Sequence, residues 1–344
     1  VPTSILGVDI GGANLKYATE DGRCFERSFA MWKRSDELAD QLQQDIARFS
    51  GIGQLAVTMT GELADCFASR AEGVLHIVDH VVRCLPDAGP HTTMFYATDG
   101  RFHDAGSAKE NWECVAASNW HALARCIGER IAPNALLIDI GSTTTDVIAI
   151  CDGDLLTRSR TDHERLTDRS LVYIGCRRTP VCALISEFEF RGTTVPVMNE
   201  LFATIDDARL LLGIQADDPD DCETADGHPR DRVHALARMA RMIGLDRNQI
   251  TDDEAISLGQ QVHDCARKRI DVAVESWWRE LLAHASDAVC VLSGHGQDLI
   301  EPPDTSIDLR VKLPRGISRG APSWAVAVLM GSRNGLPSQE RSFG

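Results

Sequence analysis

The feature that most constrains this chain is a turn motif that occurs twice. Residues 5–18 read ILGVDIGGANLKYA and residues 136–150 read LLIDIGSTTTDVIAI. Each copy has an apolar run, then Asp-Ile-Gly, then small polar residues, then a second apolar run. Apolar, β-branched flanks around a glycine-centred turn predict a strand–turn–strand hairpin. The first turn carries Asp9, Gly11, Gly12, Ala13 and Asn14, with Lys16 seven residues after Asp9. The second carries Asp139, Gly141 and the hydroxyls of Ser142, Thr143, Thr144 and Thr145, with Asp146 at its far end. Glycine lets backbone approach a ligand, and successive N–H groups in a tight turn form an anion nest. Asp9, Asp139 and Asp146 are carboxylates that a cation would neutralise, so donors and acids together suit a phosphate carrying Mg²⁺. A repeat of this kind speaks about the whole fold. It predicts two similar domains that face each other across a cleft, with one phosphate hairpin from each.

The 344 residues suffice for two domains with cores of their own. Acidic residues outnumber basic ones 51 to 35, which argues against nucleic-acid or anionic-membrane binding but leaves room for a local basic pocket. Eleven cysteines without a C-x-x-C pair read as reduced thiols of a cytoplasmic protein. No apolar run reaches the roughly 20 residues of a membrane helix, and the first motif begins by Asp9, so no signal peptide is expected ahead of it.

Along the first half, Ile5–Asp9, Asn14–Thr19 and Cys24–Phe29 read as strands. Ser35 is an N-cap for a helix burying Leu38, Leu42, Ile46 and Phe49. A strand at Gln54–Met59, a helix over 73–85, a strand at Met94–Thr98 and a helix at Ser118–Ile131 follow, the last closed by Pro133. Three strands, helix, strand, helix, strand, helix is the order of a ribonuclease-H-like half of an actin-type fold. In the second half a strand is expected at Leu155–Ser159, and 160–200 resists placement. Helices are expected at Asp206–Leu212, Val233–Ile243 and, from a Thr251/Glu254 capping box, to about Ala285. Asp217–Arg232 reads as an exposed acidic insertion. Strands at Ala288–Leu292 and Ile307–Leu313, a helix at Ala321–Met330 and a loose polar tail from Gly331 complete the chain. The expected class is α/β, with two ribonuclease-H-like (actin-type ATPase) domains, 1–133 and 134–330, facing a central cleft.

Asp9-Ile10-Gly11-Gly12, Asp139-Ile140-Gly141-Ser142-Thr143-Thr144 and Ser293-Gly294-His295-Gly296 resemble the two phosphate segments and the adenosine segment of the actin, heat-shock-70 and sugar-kinase superfamily. Lys16 is similar to the phosphate-contacting lysine of actin's first loop. The segment Thr58-Met59-Thr60-Gly61-Glu62-Leu63 and the all-hydroxyl second loop resemble the hydantoinase A/oxoprolinase branch. MTGELADCF (59–67), YATDGRF (96–102), AASNW (116–120), RRTPV (177–181) and TADGHP (224–229) are similar to members that accompany tetrahydromethanopterin- and methanofuran-dependent one-carbon metabolism. For the archaeal members the resemblance implies a condensation in methanofuran synthesis. An aminomethylfuran-methyl diphosphate joins the phenol of γ-glutamyltyramine, and diphosphate leaves.

On that reading Gly11, Gly12, Ala13, Asn14, Gly141, Ser142, Thr143, Thr144, Thr145, Gly294 and Gly296 bind phosphate. Lys16 places a point charge on the leaving group, and Asp9, Asp139 and Asp146 hold Mg²⁺. Glu62, Asp65 and Asp99 follow strand ends and are candidate general bases for the phenol. Arg177 and Arg178 suit a carboxylate or diphosphate, and Asn119 the aromatic substrate. The bland readings are turn-capping acids, helix-dipole acids and surface salt bridges. His76 and His80 have metal-ligand spacing but no third ligand nearby. The expected partner is a small phosphorylated molecule, with no nucleic acid and no membrane; a homodimer is compatible. The alternative is an ATP-dependent kinase or cyclic-amide hydrolase, with Ser293–Gly296 under adenine. A nucleotide sensor without turnover is the third.

Overall fold

The structure is a computed structural model that describes residues 4–85, 92–303, 305–314 and 316–333. The first half forms β1 (Ser4–Ile10), β2 (Asn14–Thr19), β3 (Cys24–Ser28), α1 (Met31–Arg34), α2 (Leu38–Ile46), β4 (Ile52–Met59), α3 (Arg70–Arg83), β5 (Thr93–Tyr96), β6 (Phe102–His103), α4 (Ala105–Glu110), α5 (Trp112–Val115) and α6 (Asn119–Arg130). The second forms β7 (Ala135–Ile140), β8 (Thr145–Cys151), β9 (Asp154–Leu155), α7 (Asp162–Asp168), β10 (Leu171–Val172), α8 (Val181–Leu184), β11 (Glu187–Phe190), β12 (Thr193–Pro196), α9 (Ile205–Leu211), α10 (Arg232–Arg241), α11 (Asp252–His284), β13 (Val289–Gly294), β14 (Ser306–Asp308), α12 (Leu309–Lys312) and α13 (Ala321–Arg333).

Two sheets share one plan. The first runs β3-β2-β1-β4-β5-β6 and the second β10-β8-β7-β13-β14. In each, an antiparallel hairpin leads into a strand that pairs in parallel with the next. The central strands are apolar on both faces because both are covered. Leu6, Val8 and Ile10 of β1 face an outer core with α2 and α3, while Leu136, Ile138 and Ile140 of β7 face an outer core with α9, α10 and α11. Ile5 and Leu137 face the opposite way, into a shared inner core built on α6 and α13. With a side-chain period of two, Asp9 and Asp139 fall on those inner faces too.

The inner layer depends on a close approach. A Cβ on Gly7 would stand 1.7 Å from the Ser323 carbonyl oxygen, so only glycine lets α13 lie directly on β1. The C-terminal helix therefore packs on β1, β2, β4 and α6. The chain returns to its first domain rather than ending in the second, which departs from the expected division at 133 and 330. No helix of the described residues is long and apolar enough to cross a membrane.

Several expectations are corrected. Ser35 is no N-cap: Ser35–Glu37 is a 3-10 turn, and α2 begins at Leu38 without a side-chain cap. The expected strand 155–159 stops early: Asp154 and Leu155 pair with β8, and the Leu156 N–H to the Ala149 carbonyl (2.9 Å) is the last bond to that strand. Thr157 then turns its hydroxyl to Asp168 (2.7 Å), and β10 supplies the third strand. The strand expected at 307–313 ends at Asp308, which accepts the Arg310 N–H (2.8 Å) and starts α12. Segment 217–232 is tied down rather than free: Arg230 is buried against Asp206 (2.5 and 2.9 Å) and Asp226 accepts from Arg238 (3.0 Å). Gly331–Arg333 belong to α13, and the rest of the expected tail, 334–344, lies outside the described residues. The Thr251/Glu254 capping box does open the 33-residue α11.

Gly7→Ala is expected to lower stability by about 3 kcal/mol or more, at the upper end of overpacking costs. Gly12→Ala, where a Cβ meets nothing within 4 Å, is expected to change it by less than about 1 kcal/mol. Urea unfolding of both variants measures the contrast.

Candidate active site

The two hairpins close in the same way. Gly11 N–H donates to the Asn14 carbonyl and Gly141 N–H to the Thr144 carbonyl, both at 2.9 Å. Between them lies a cavity of about 690 Å³ at the C-terminal ends of the central strands. Gly11, Gly12, Ala13, Asn14 and Lys16 line one side, and Gly141, Ser142, Thr143 and Thr144 the other. Helices α6 and α13 both start here, with Asn119 and Trp120 at one N-terminus and Pro322 at the other. Free N–H groups and the positive dipole end of a helix favour an anion.

The register shows how the repeat has diverged. Asp9 pairs across β1–β2 with Lys16, and Asp139 pairs across β7–β8 with Asp146. Burial pushes Asp9 up to about 6, against the pull of Lys16. Burial, and then the neighbouring Asp146, push Asp139 up to about 6. Asp9 Oδ1 is buried with no hydrogen-bond partner. Asp146 is already engaged: Arg165 Nη2 donates to it at 2.5 Å, and that guanidinium lies 3.9 Å over the Trp120 ring. Among the described residues no group of three or more His, Cys, Asp or Glu forms a metal cage. Mg²⁺ does not require one, because it keeps waters and takes phosphate oxygens beside one or two carboxylates. Asp9 and Asp139 fit that demand, whereas Asp146 is an ion-pair partner.

Asn119, Arg178, Asp65 and Gly294 also line the cavity. Arg178 belongs to the second domain and sits over Trp32 of the first, 5.5 Å from its ring centre. Other expected site residues lie elsewhere. Thr145 donates its hydroxyl to the Ile174 carbonyl (2.7 Å) inside the fold. Gly296 is a packing glycine, since a Cβ there would meet the Ile140 side chain at 2.3 Å. Arg177 pairs with Asp221 (2.5 Å) away from the cavity. Asp99 accepts the Arg101 N–H (2.8 Å) and lines a different pocket. Glu62 is buried behind the wall, against the backbone position of Gly73, with neither oxygen hydrogen-bonded and Arg70 at 3.9 Å. His76 and His80 stack (3.9 Å between ring centres) and bond to backbone carbonyls.

Arg165, Asp162, Tyr173 and Arg319 line the cavity without having been singled out, and His295, from the segment expected under adenine, lines it too. The first three fall in the stretch without clear periodicity. His295 is pushed down to about 3, first by burial and then by Lys16, and is therefore neutral. The helix N-termini were legible in principle, because this strand order places each crossover helix start at the strand ends.

A sequence model of the hydantoinase/oxoprolinase family matches residues 54–297. The chain belongs to that family. A Methanocaldococcus jannaschii protein named (4-{4-[2-(gamma-L-glutamylamino)ethyl]phenoxymethyl}furan-2-yl)methanamine synthase is 33% identical over 336 residues, 95% of this chain and 97% of its own. A Methanococcus vannielii protein of the same name is 29% identical over 216 residues, covering 60% of this chain and 95% of its own. Among solved structures, nucleotide-free acetone carboxylase superposes with a TM-score of 0.51 at 11% identity, over 94% of this chain and 70% of that one. That likeness bears on fold, and it agrees with two actin-type domains in this hydantoinase/oxoprolinase family member. Both named relatives are synthases, which supports an enzyme.

Burial raises Glu62 from its ordinary 4.5 to about 7. The native state thus binds this proton more tightly than the unfolded chain. The charge costs nothing below about pH 4.5, costs more as pH climbs to about 7, and costs a constant amount above. Glu62→Gln is expected to stabilise by roughly 3 kcal/mol at pH 8 and by nothing near pH 4. Urea unfolding at both values checks it; a loss at pH 8 would show that Arg70 needs the charge.

Proposed function

We propose that this protein condenses an aminomethylfuran-methyl diphosphate with the phenol of γ-glutamyltyramine, or a close analogue, and releases diphosphate. The observation that carries the reading is the end-to-end similarity to a synthase named for that ether product. The cleft supports it. Two anion nests and two helix N-termini converge on a space that also holds Lys16, and the glycine-rich turn after β13 is packed shut at Gly296.

The furan-methyl carbon loses its bond to the diphosphate oxygen and gains one to the phenol oxygen. The bond electrons leave with diphosphate, and the phenol proton passes to a carboxylate. Asp65, of the three candidate bases, lines the cleft and takes that proton. The Gly11–Asn14 and Gly141–Thr144 turns hold the diphosphate, and Lys16 meets its growing charge. Mg²⁺ held by Asp9 and Asp139 would neutralise charge on the departing diphosphate. Arg178, exposed at the rim, suits the γ-glutamyl carboxylates. The gain is positioning plus electrostatics.

Mixing both synthetic substrates with the full chain and Mg²⁺ is expected to yield the ether by mass spectrometry. Lys16→Ala is expected to lower kcat/KM by about 10²–10³-fold, the range for losing one preorganised charge partner, and Asp65→Asn by about 10²-fold or more. Calorimetry with ATP, ADP and diphosphate separates the readings. Diphosphate binding without adenine preference supports the condensation. A marked ATP preference abolished by Lys16→Ala, with no ether formed, overturns it in favour of ATP-dependent chemistry.

A further inference from the structure

A second cavity, of about 570 Å³, lies along the side of α6, whereas the first lies at its N-terminus. Its walls come from the end of β5, one face of α6, the β9 turn and the C-terminal end of α13. It is thus a separate chamber at the junction of the two domains.

Its charges pair only in part. Arg125 is satisfied by Asp154 and Glu129. Arg160 gives Nη1 to the Thr157 and Ser159 carbonyls, both at 3.0 Å. Arg333 donates to the Gly100 carbonyl and lies over the Phe102 ring, 5.2 Å from its centre. Among the described residues, no carboxylate stands within ion-pair distance of Arg160 or Arg333. Each guanidinium has five donors in a fork that matches carboxylate and phosphate. The lining also holds Asp99, Glu129 and Asp154, but Arg125 takes the last two and Asp99 accepts the Arg101 N–H and faces His103 (3.3 Å), so Arg160 and Arg333 are left without a paired acid and suit an anion from outside.

Beside them the lining carries two polar, uncharged side chains, Tyr96 and His121. The Tyr96 hydroxyl and His121 Nδ1 are hydrogen-bonded at 3.0 Å, and both residues are almost wholly buried. Burial, then Arg160 and Arg125, push His121 down to about 3, with Asp99 the acid that opposes them. The imidazole thus stays neutral, able to bond a ligand without adding charge.

We propose that this second cavity binds a small organic anion, its carboxylate or phosphate group held between Arg160 and Arg333, with Tyr96 and His121 contacting the body of the molecule. The site owes nothing to the phosphate loops and does not depend on the proposed condensation.

The test titrates the full chain calorimetrically with glutarate and, separately, with inorganic phosphate. Lys16→Ala serves as the background, which weakens anion binding in the first cleft. One of the two probes is expected to bind with one-to-one stoichiometry, and to lose at least 10-fold in affinity on adding either Arg160→Gln or Arg333→Gln. The probe that binds identifies the anionic group. Arg333 lies in the last turn of α13, so its variant keeps the test valid should Arg160→Gln fail to fold. Binding of neither probe at millimolar concentration, or binding unchanged by folded arginine variants, would overturn the proposal.

Discussion

Everything in this fold is arranged around two carboxylates that water would otherwise hold. Asp9 and Asp139 end inward-facing rows on the central strands of opposing sheets, and burial pushes each well above its ordinary range. A fold tolerates such a cost where a ligand or cation restores the balance. The helices α6 and α13 keep the sheets apart and fill the space behind these acids with apolar side chains. The same helices begin at the acids, so the scaffold and the electrostatics have one origin.

The two halves share geometry but not charge. Equivalent cross-strand positions hold Lys16 in one half and Asp146 in the other. Asp146 brings Arg165, and Arg165 rests on Trp120. One wall of the cleft thus offers an ammonium and the other a guanidinium already engaged with an acid. A symmetric duplication has become a polarised site, suited to handling two unlike reactants.

Much of this was legible because the repeat is local. Asp-Ile-Gly, the spacing to Lys16 and the alternating apolar runs fix hairpin, register and inward face without knowledge of the rest. What was not legible depends on approach between distant segments. Glu62 stands one residue from a cavity-lining leucine, yet the 3-10 turn at Gly61–Leu63 swings it beneath Gly73. Thr145 looks like the hydroxyls before it, but as the first residue of β8 it turns to the chain after β10. Gly296 reads as a ligand-binding glycine, and only its contact with Ile140 shows a packing role. β10 has two residues, too few for any period to show. Arg165 and Tyr173 lie in that same unpatterned stretch.

The position of α13 also sets an order in time. The first sheet has its inner face closed by a helix made far later in synthesis, with Gly7 waiting for Ser323. At about 5–20 residues per second, β1 stands uncovered on that face for on the order of 15–60 s. The first half therefore lacks the packing of α13 on its inner face while the second is being made. The cleft is assembled only when α13 reaches β1, so neither phosphate loop is held in place by a finished domain before its counterpart exists.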